Sequence, residues 1–296
     1  MNESDWLAER FEAHRSHLRA VAYRMLGSLS EADDAVQEAW IRLSRSDTSG
    51  VENLGGWLTT VVARVCLNML QSRKARLEEP FDARVPDPVV SPDGVIDPEQ
   101  EALLADSVGL ALLVVLETLS PAERLAFVLH DMFEVPFDEI GPLVGRSPTA
   151  ARQLASRARR RIRGLAPVPD ADLTRQRAVV DAFLAAVRDG DFDVLLEILD
   201  PEVVLRADAG AMPRGASRVV HGARVVASQA VTFGRTGARF ARPALVNGAA
   251  GLIAGRGGRI FSVVGFTVMA GKIVEIDILA DPSRLAKLDL AEIEEG

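Results

Sequence analysis

Five prolines (Pro80, Pro86, Pro88, Pro92 and Pro98) fall between residues 78 and 100, and no other feature constrains the fold of this 296-residue chain as strongly. Proline fixes φ, donates no backbone hydrogen bond and drives the preceding residue out of the helical region. A stretch so punctuated cannot be the interior of a helix or of a central strand. With five Asp or Glu after position 80, it reads as an acidic, extended linker. The chain is expected to fold as separate bodies on either side of it.

Upstream, the apolar spacing predicts three helices. Leu7, Phe11, Leu18, Val21 and Met25 recur at threes and fours with His14 between them, a helical stripe that Gly27 ends. Ser30 with Asp33 resembles a capping box opening a second helix, whose Val36, Ala39, Trp40 and Leu43 form the expected buried face. Asp33, Asp34, Gln37 and Glu38 crowd its other side. A polar loop, Ser44 to Gly56, leads to a third helix from Trp57 to Arg76. At 3.6 residues per turn, Leu58, Val61, Val62, Val65 and Met69 share one side of it. Thr60, Arg64, Asn68 and Gln71 form a continuous polar stripe opposite, and a stripe of amides with one Arg and no carboxylate is unusual for a merely solvated face.

Downstream, helices resume near Glu101, with Leu103, Leu104, Val108, Ala111, Leu112, Val115 and Leu119 apolar. Ser120-Pro121-Ala122-Glu123 is a capping box with Pro at the first helical position, and Leu125, Val128, Leu129 and Met132 continue that helix. A short helix follows Pro136, Val144-Gly145-Arg146 turns the chain, and Ser147-Pro148 opens the next one. Helix, tight turn with Gly, helix is the helix-turn-helix arrangement. In its last helix Ala151, Leu154, Ala155, Ala158 and Ile162 point inward, and Thr149, Gln153, Ser156, Arg157 and Arg160 outward, with Arg152 and Arg163 on the flank. A helix fits the major groove of B-DNA with its N-terminal side chains at the base edges. Ser147, Thr149, Ala150, Arg152, Gln153, Ser156 and Arg157 are the candidates there, and Arg159 to Arg163, Arg160 among them, would hold phosphates. The competing reading is an arginine-rich solvated helix.

Charge distribution favours the first reading. The net charge is −8, but from Asn53 to Leu77 there are four basic residues and no acid, and from Gly145 to Gly164 seven Arg and no acid. Basic islands in an acidic protein are the footprint of a nucleic-acid partner. Cys66 is the only cysteine, which excludes intramolecular disulfides and cysteine-rich zinc sites. No apolar run approaches the roughly 20 residues that span a bilayer, and the acidic amphipathic start is unlike a signal peptide. A cytoplasmic protein without membrane, metal or cofactor is expected.

After a second linker, Gly164 to Pro169, a helix (Thr174 to Arg188), a Gly-Asp turn and another helix (Phe192 to Leu199) precede a short strand at Val203 to Leu205. A brief helix follows Gly222. Gly258 to Ala270 and Lys272 to Ala280 read as a hairpin turning at Gly271, with Val274, Ile276 and Ile278 inward. Helices first and a curved antiparallel sheet after them make an α+β domain.

Residues 1–166 resemble a bacterial RNA polymerase sigma factor of the extracytoplasmic-function (ECF) class. The resemblance is carried by LSEADDAVQEAWIRL, NLGGWLTTVVARVCLNMLQSRKAR and LSPAERLAFVLHDMFEVPFDEIGPLVGRSPTAARQLASRARRRIR. Residues 167–296 resemble the SnoaL-like domain fused to its SigJ-type subgroup. The fold class implied is multidomain: two all-α helical modules followed by an α+β, cone-shaped SnoaL-like domain. The boundaries are 1–77 for sigma region 2, 78–100 for the linker, 101–166 for sigma region 4 and 167–296 for the regulatory domain.

The resemblance assigns roles to residues. Asp33, Asp34, Gln37 and Glu38 would dock on the clamp helices of core RNA polymerase. Asn53, Trp57, Arg64 and Asn68 would take the opened −10 element, with Arg73, Lys74 and Arg76 on its backbone; Trp57 could equally be core. Region 4 would read the −35 element as duplex. In the fused domain a glycine-rich Asp motif stands as Asp208-Ala209-Gly210-Ala211, and an Asn-Pro-Asp-Lys-Leu-like motif as Asp281-Pro282-Ser283-Arg284-Leu285. Asp208, Gly210, Asp281, Pro282, Arg284 and Leu285 are the expected regulatory contact with the sigma modules. Two other readings stand beside this one: a helix-turn-helix regulator sensing a small ligand in its C-terminal cavity, and a SnoaL-like isomerase or cyclase using His221 and Asp277. The chain is read as no enzyme.

Overall fold

The computed structural model describes residues 3–46, 51, 53–76, 84–91, 109–167, 169–210, 217–257 and 259–288. They fall into two compact units, Met1–Pro80 with Pro98–Asp106 and Val115–Leu165, and Phe81–Asp97 with Ser107–Val114 and Ala166–Gly296. Residues 47–50, 78–83 and 92–108, including Leu103, Leu104 and Val108 of the expected helix, lie outside the described residues, as do Ala211, Gly258 and the Arg76 side chain.

In the first unit, α1 (Glu3–Leu26) ends where the sequence says it must. Gly27 takes φ 66° and its N–H returns to the Tyr23 carbonyl at 2.8 Å, a left-handed stop that glycine accepts without strain. The cap of α2 (Leu29–Leu43) is Ser28 rather than Ser30: the Ser28 hydroxyl accepts from the Glu31 N–H. Helix α3 (Leu54–Arg76) starts three residues before Trp57, because the Asn53 carboxamide accepts the Gly56 N–H at 3.0 Å. Phe11, Leu18, Val21 and Met25 meet Val36, Ala39 and Leu43 of α2 and Leu58, Val62 and Val65 of α3 in the core. Trp40 is half-buried, its ring 5.1 Å from that of Phe11. Burial pushes the Cys66 thiol up to about 12, which keeps it protonated and unreactive.

Helix α4 (Leu110–Glu117) is shared between the two units. The predicted box opens α5 (Pro121–Phe127): the Ser120 hydroxyl accepts from the Glu123 N–H and the Glu123 carboxylate from the Ser120 N–H. A π-helical turn, Val128–Met132, extends it, and α6 (Phe137–Leu143) and α7 (Pro148–Leu165) follow. Gly145 turns the chain at φ 64°. A Cβ on Gly141 would stand 2.8 Å from the Arg146 carbonyl oxygen, so only glycine lets the turn close on α6. Ala151, Ala155 and Ala158 are buried, and Leu154 and Ile162 half-buried. This unit brings the two helical groups together: the Arg124 guanidinium, 2% exposed, pairs with Glu117 at 2.9 Å and donates to the Arg24 carbonyl at 3.1 Å.

In the second unit, α8 (Leu173–Asp189) and α9 (Phe192–Ile198) form a helical pair joined at Gly190, each capped by an aspartate, Asp172 and Asp191. The strands are β1 (Val90–Ser91), β2 (Leu199–Asp208), β3 (Arg218–His221), β4 (Ala241–Val246), β5 (Ala249–Arg256), β6 (Arg259–Met269) and β7 (Lys272–Leu279). Between β3 and β4 run α10 (Ala223–Gln229), a π-helical turn and α11 (Arg235–Ala238); α12 (Pro282–Leu285) follows β7. Sheet order is β1-β4-β5-β6-β7-β2-β3.

Three expectations are corrected here. The sheet is mixed, because β7 pairs parallel with β2 while every other neighbouring pair is antiparallel. With β3 turned back on one side of β2, its other edge is filled by the last strand, which arrives by a long route and has no hairpin to fix its direction. Strand β2 is longer than Val203–Leu205; Pro201 lies in a register shift against β7, where the ladder asks no N–H of it. The β6–β7 hairpin does turn at Ala270-Gly271, but a register shift between Thr267 and Val268 makes Val274 the extra residue, so Ile273 takes its place in the core beside Ile276. Ile278 packs against that core, which Phe183, Leu184, Leu195, Leu205 and Phe266 complete.

Candidate functional site

The outer face of α7 is open. Ser147, Thr149, Arg152, Gln153, Ser156, Arg157 and Arg160 are all exposed, and Ala150 is half-buried. The Ser147 hydroxyl accepts the Ala150 N–H at 3.3 Å and so helps fix the first turn. Arg152 lies over the Phe137 ring at 5.4 Å, which holds its guanidinium beside the helix–turn junction. Arg159, half-buried, pairs with Asp131 at 2.6 Å and is drawn back to α5's extension rather than outward. No carboxylate occurs between Glu139 and Asp170, so α7 itself contributes no acidic side chain to this face.

On α3 the polar stripe is real: Arg64, Asn68 and Gln71 are exposed and Thr60 half-buried. Asn53 is exposed and caps α3, Trp57 is half-buried, and Lys74 is exposed. Arg73 is turned elsewhere. It pairs with Glu31, donates to the Leu26 carbonyl and stands 3.8 Å from Glu117. On α2, Asp33, Asp34 and Gln37 are exposed; Asp33 pairs with Arg19 at 2.7 Å, and half-buried Glu38 with Arg42 at 2.9 Å.

The C-terminal motifs converge on one spot. Asp208, at the end of β2, accepts the Val85 N–H at 3.1 Å, the Gly210 N–H at 3.1 Å and the Arg284 guanidinium at 2.7 Å. Arg284 also donates to the Val85 carbonyl at 2.6 Å and to the Asp87 carboxylate at 2.7 Å. Asp281 caps α12 through the Ser283 N–H, Pro282 is its first residue, and Leu285 is buried. Gly210 takes φ 59° where a Cβ would run into the Asp281 carboxylate. The expected partner of these residues was the sigma modules; within this unit they touch the linker. Residues 85–91 are buried, with Val90 and Ser91 pairing as an edge strand onto Val246 and Leu245, and Val89 donating to Asn247 at 3.1 Å. The prolines explain why an edge is possible: Pro86 and Pro88 present no N–H, so side chains must complete the contact. Sequence reasoning missed Asp87, Val85 and Asn247; the only available signal was an Asp between two prolines, a turn-like pattern that by itself looks solvated.

Arg206 forms a second buried cluster with Glu275 at 3.0 Å and Asp277 at 3.1 Å. Desolvation, reinforced by the Glu275 charge against the pull of Arg206, raises the Asp277 carboxyl to about 6. A carboxyl raised in the folded state binds its proton more tightly than in the unfolded chain, so its contribution to stability is present at low pH and lost as pH rises through about 6. The unfolding free energy of this unit is therefore expected to fall between pH 4 and pH 6, and Asp277→Asn to flatten that slope, as urea titrations across pH would report. His221 is exposed at the end of β3, and Asp277 is engaged by Arg206. An opening of about 440 Å³ lies elsewhere on this unit, between α9, the start of β2 and α10, with Arg224 and Lys272 at its rim. Among the described residues no group of three or more potential metal ligands occurs and no helix is long and apolar enough to cross a membrane.

Residues 10–76 match the family model Sigma-70 region 2, and residues 109–162 match Sigma-70, region 4. The chain is 36% identical to the probable ECF RNA polymerase sigma factor SigI of Mycobacterium tuberculosis, over 97% of its own length and 98% of that protein's. It is also 36% identical to the ECF RNA polymerase sigma factor SigJ of the same organism, covering 95% and 94% of the two chains. The crystal structure of the M. tuberculosis extracytoplasmic function sigma factor SigJ superposes with a TM-score of 0.76 at 34% identity, covering 96% of this chain and 99% of that one. Two sigma-region matches, full-length relatives and a shared fold agree: the chain belongs to the extracytoplasmic-function family of RNA polymerase sigma factors.

Proposed function

We propose that this sigma factor directs core RNA polymerase to its promoters through regions 2 and 4, and that its C-terminal domain controls the process in cis by holding the segment between them. Asp33, Asp34, Gln37 and Glu38 would meet the polymerase clamp helices. Asn53, Trp57, Arg64 and Asn68 would take the −10 element, Lys74 and Arg76 its backbone, and Arg73 would join them on leaving Glu31. The outer face of α7 would read the −35 duplex. The work is that of a cytoplasmic transcription factor, and the C-terminal domain acts as a regulator and not a catalyst.

One observation supports the control: residues 85–91, in the stretch that joins region 2 to region 4, are buried against the C-terminal domain and clamped by Arg284. A joining segment pinned at its middle cannot span the distance that a free one can. Because the two partners are on one chain, the effective concentration is high and a modest surface suffices. Ending the chain at Ala280 removes α12 and Arg284 with it. The expected result is altered run-off transcription with core polymerase, while circular dichroism of the helical unit is retained. Unaltered output on every promoter tested would refute control in cis.

A further inference from the structure

Residues 209 to 274 contain eight Arg and one Lys and no Asp or Glu, in a chain that has 42 acidic residues and a net charge of −8. The end of the β5–β6 ribbon lies in this stretch and reads Gly255-Arg256-Gly257-Gly258-Arg259-Ile260-Phe261. Arg256 and Arg259 are directly opposed across the two strands, and both are exposed. Like charges in opposed positions weaken a sheet, and here no nearby carboxylate in sequence relieves them. Such a pair is disadvantageous for the domain alone and fits a surface that meets an anion.

The surroundings narrow the anion's class. The Arg256 guanidinium lies 5.2 Å over the Phe240 ring, and Phe240 meets Phe261 edge-on at 6.2 Å. Phe261 is 39% exposed, and Arg239 beside Phe240 is exposed as well. Arginines interleaved with accessible aromatic rings serve nucleic acids, the arginines on phosphates and the rings against sugars and bases. A two-stranded ribbon is also one of the few elements narrow enough for the major groove.

We propose that the end of the β5–β6 ribbon is a DNA-binding surface, with Arg239, Arg256 and Arg259 on the phosphodiester backbone and Phe261 against a sugar or base. It is separate from both sigma regions, and it does not depend on control in cis. The test uses the full-length chain and fluorescence anisotropy of a short labelled duplex lacking any promoter sequence, titrated across a salt series, with a single strand of equal length in parallel. Arg256→Gln combined with Arg259→Gln is expected to weaken binding roughly 5- to 20-fold at low salt and to make the log–log salt slope shallower by about 2, near 0.9 for each phosphate no longer neutralised. A larger loss on the single strand than on the duplex, repeated by Phe261→Ser, would assign Phe261 to base stacking and also supports the surface. Arg239→Gln provides a second variant that leaves the ribbon untouched, with a slope change of about 1 expected. Parent-like affinity and slope in all variants would overturn the proposal. So would a loss confined to affinity for core polymerase, which would mark the patch as a protein-binding surface.

Discussion

Replacing Arg284 with Ala is expected to lower the unfolding free energy of the C-terminal unit by about 3–5 kcal/mol, the usual cost of removing one partner from a buried ion pair. The Arg284 side chain is 18% exposed, and those of Asp87 and Asp208 are 8% and 4% exposed. Without the guanidinium, two carboxylates stay close together in a desolvated site, and among the described residues the Val85 and Gly210 N–H groups are what remains to the Asp208 carboxylate. The linker should give way first, since the anchors described beside Arg284 are small: a two-residue strand, the paired Val89–Asn247 hydrogen bonds and the Val85 N–H to Asp208. Hydrogen exchange at residues 85–91 is the matching measurement, with protection disappearing there before it does in the core strands. Arg284→Lys should fall between the parent and Arg284→Ala, because an ammonium cannot fork across Asp87, Asp208 and the Val85 carbonyl as a guanidinium does. Full protection of residues 85–91 in Arg284→Ala would show that the linker is held by something else.

The second large effect belongs to α7. Arg152→Ala and Gln153→Ala are each expected to remove about 1–3 kcal/mol of discrimination, so that promoters differing at one −35 position come closer together in output by roughly tenfold. Arg160→Ala should instead weaken all templates alike, as removal of a phosphate-holding cation does. Because Arg152 also lies over Phe137, its removal costs the helix junction about 0.5–1 kcal/mol, and the melting temperature of the variant separates that contribution from base reading. Run-off transcription on templates varied at each −35 position reads the difference. Equal losses on every template for all three variants would refute the division into base readers and phosphate holders.

Much of this molecule could be read from its residues, because the signals were local. The Ser120–Glu123 box, the Gly27 and Gly145 stops and the alanine face of α7 each depend on neighbours three or four residues away, and helices obey that range. What escaped was set by partners distant in sequence. Strand β2 runs through Asp200-Pro201 because β7, some 70 residues on, tolerates a shift there. Val274 leaves the core because of a bulge opposite Thr267, and a period-two pattern carries no mark of a bulge. Arg73 has the sequence context of a backbone-binding cation, yet Glu31 and Glu117 claim it. The C-terminal motif residues were legible as a group, but the object they hold was not. An Asp flanked by prolines looks solvated until Arg284, nearly 200 residues later, folds over it.

Every role assigned to regions 2 and 4 requires the chain to act as an exchangeable subunit of RNA polymerase that selects promoters. The most direct measurement adds the purified full-length chain to core polymerase and asks for two things together, co-elution as a complex and a run-off transcript of defined start. The expected result is a stoichiometric complex and a single start whose position follows the template's −35 and −10 elements when these are moved. Binding to promoter duplex with no association with core polymerase and no transcript would contradict it, and would identify a helix-turn-helix regulator that works without joining the enzyme.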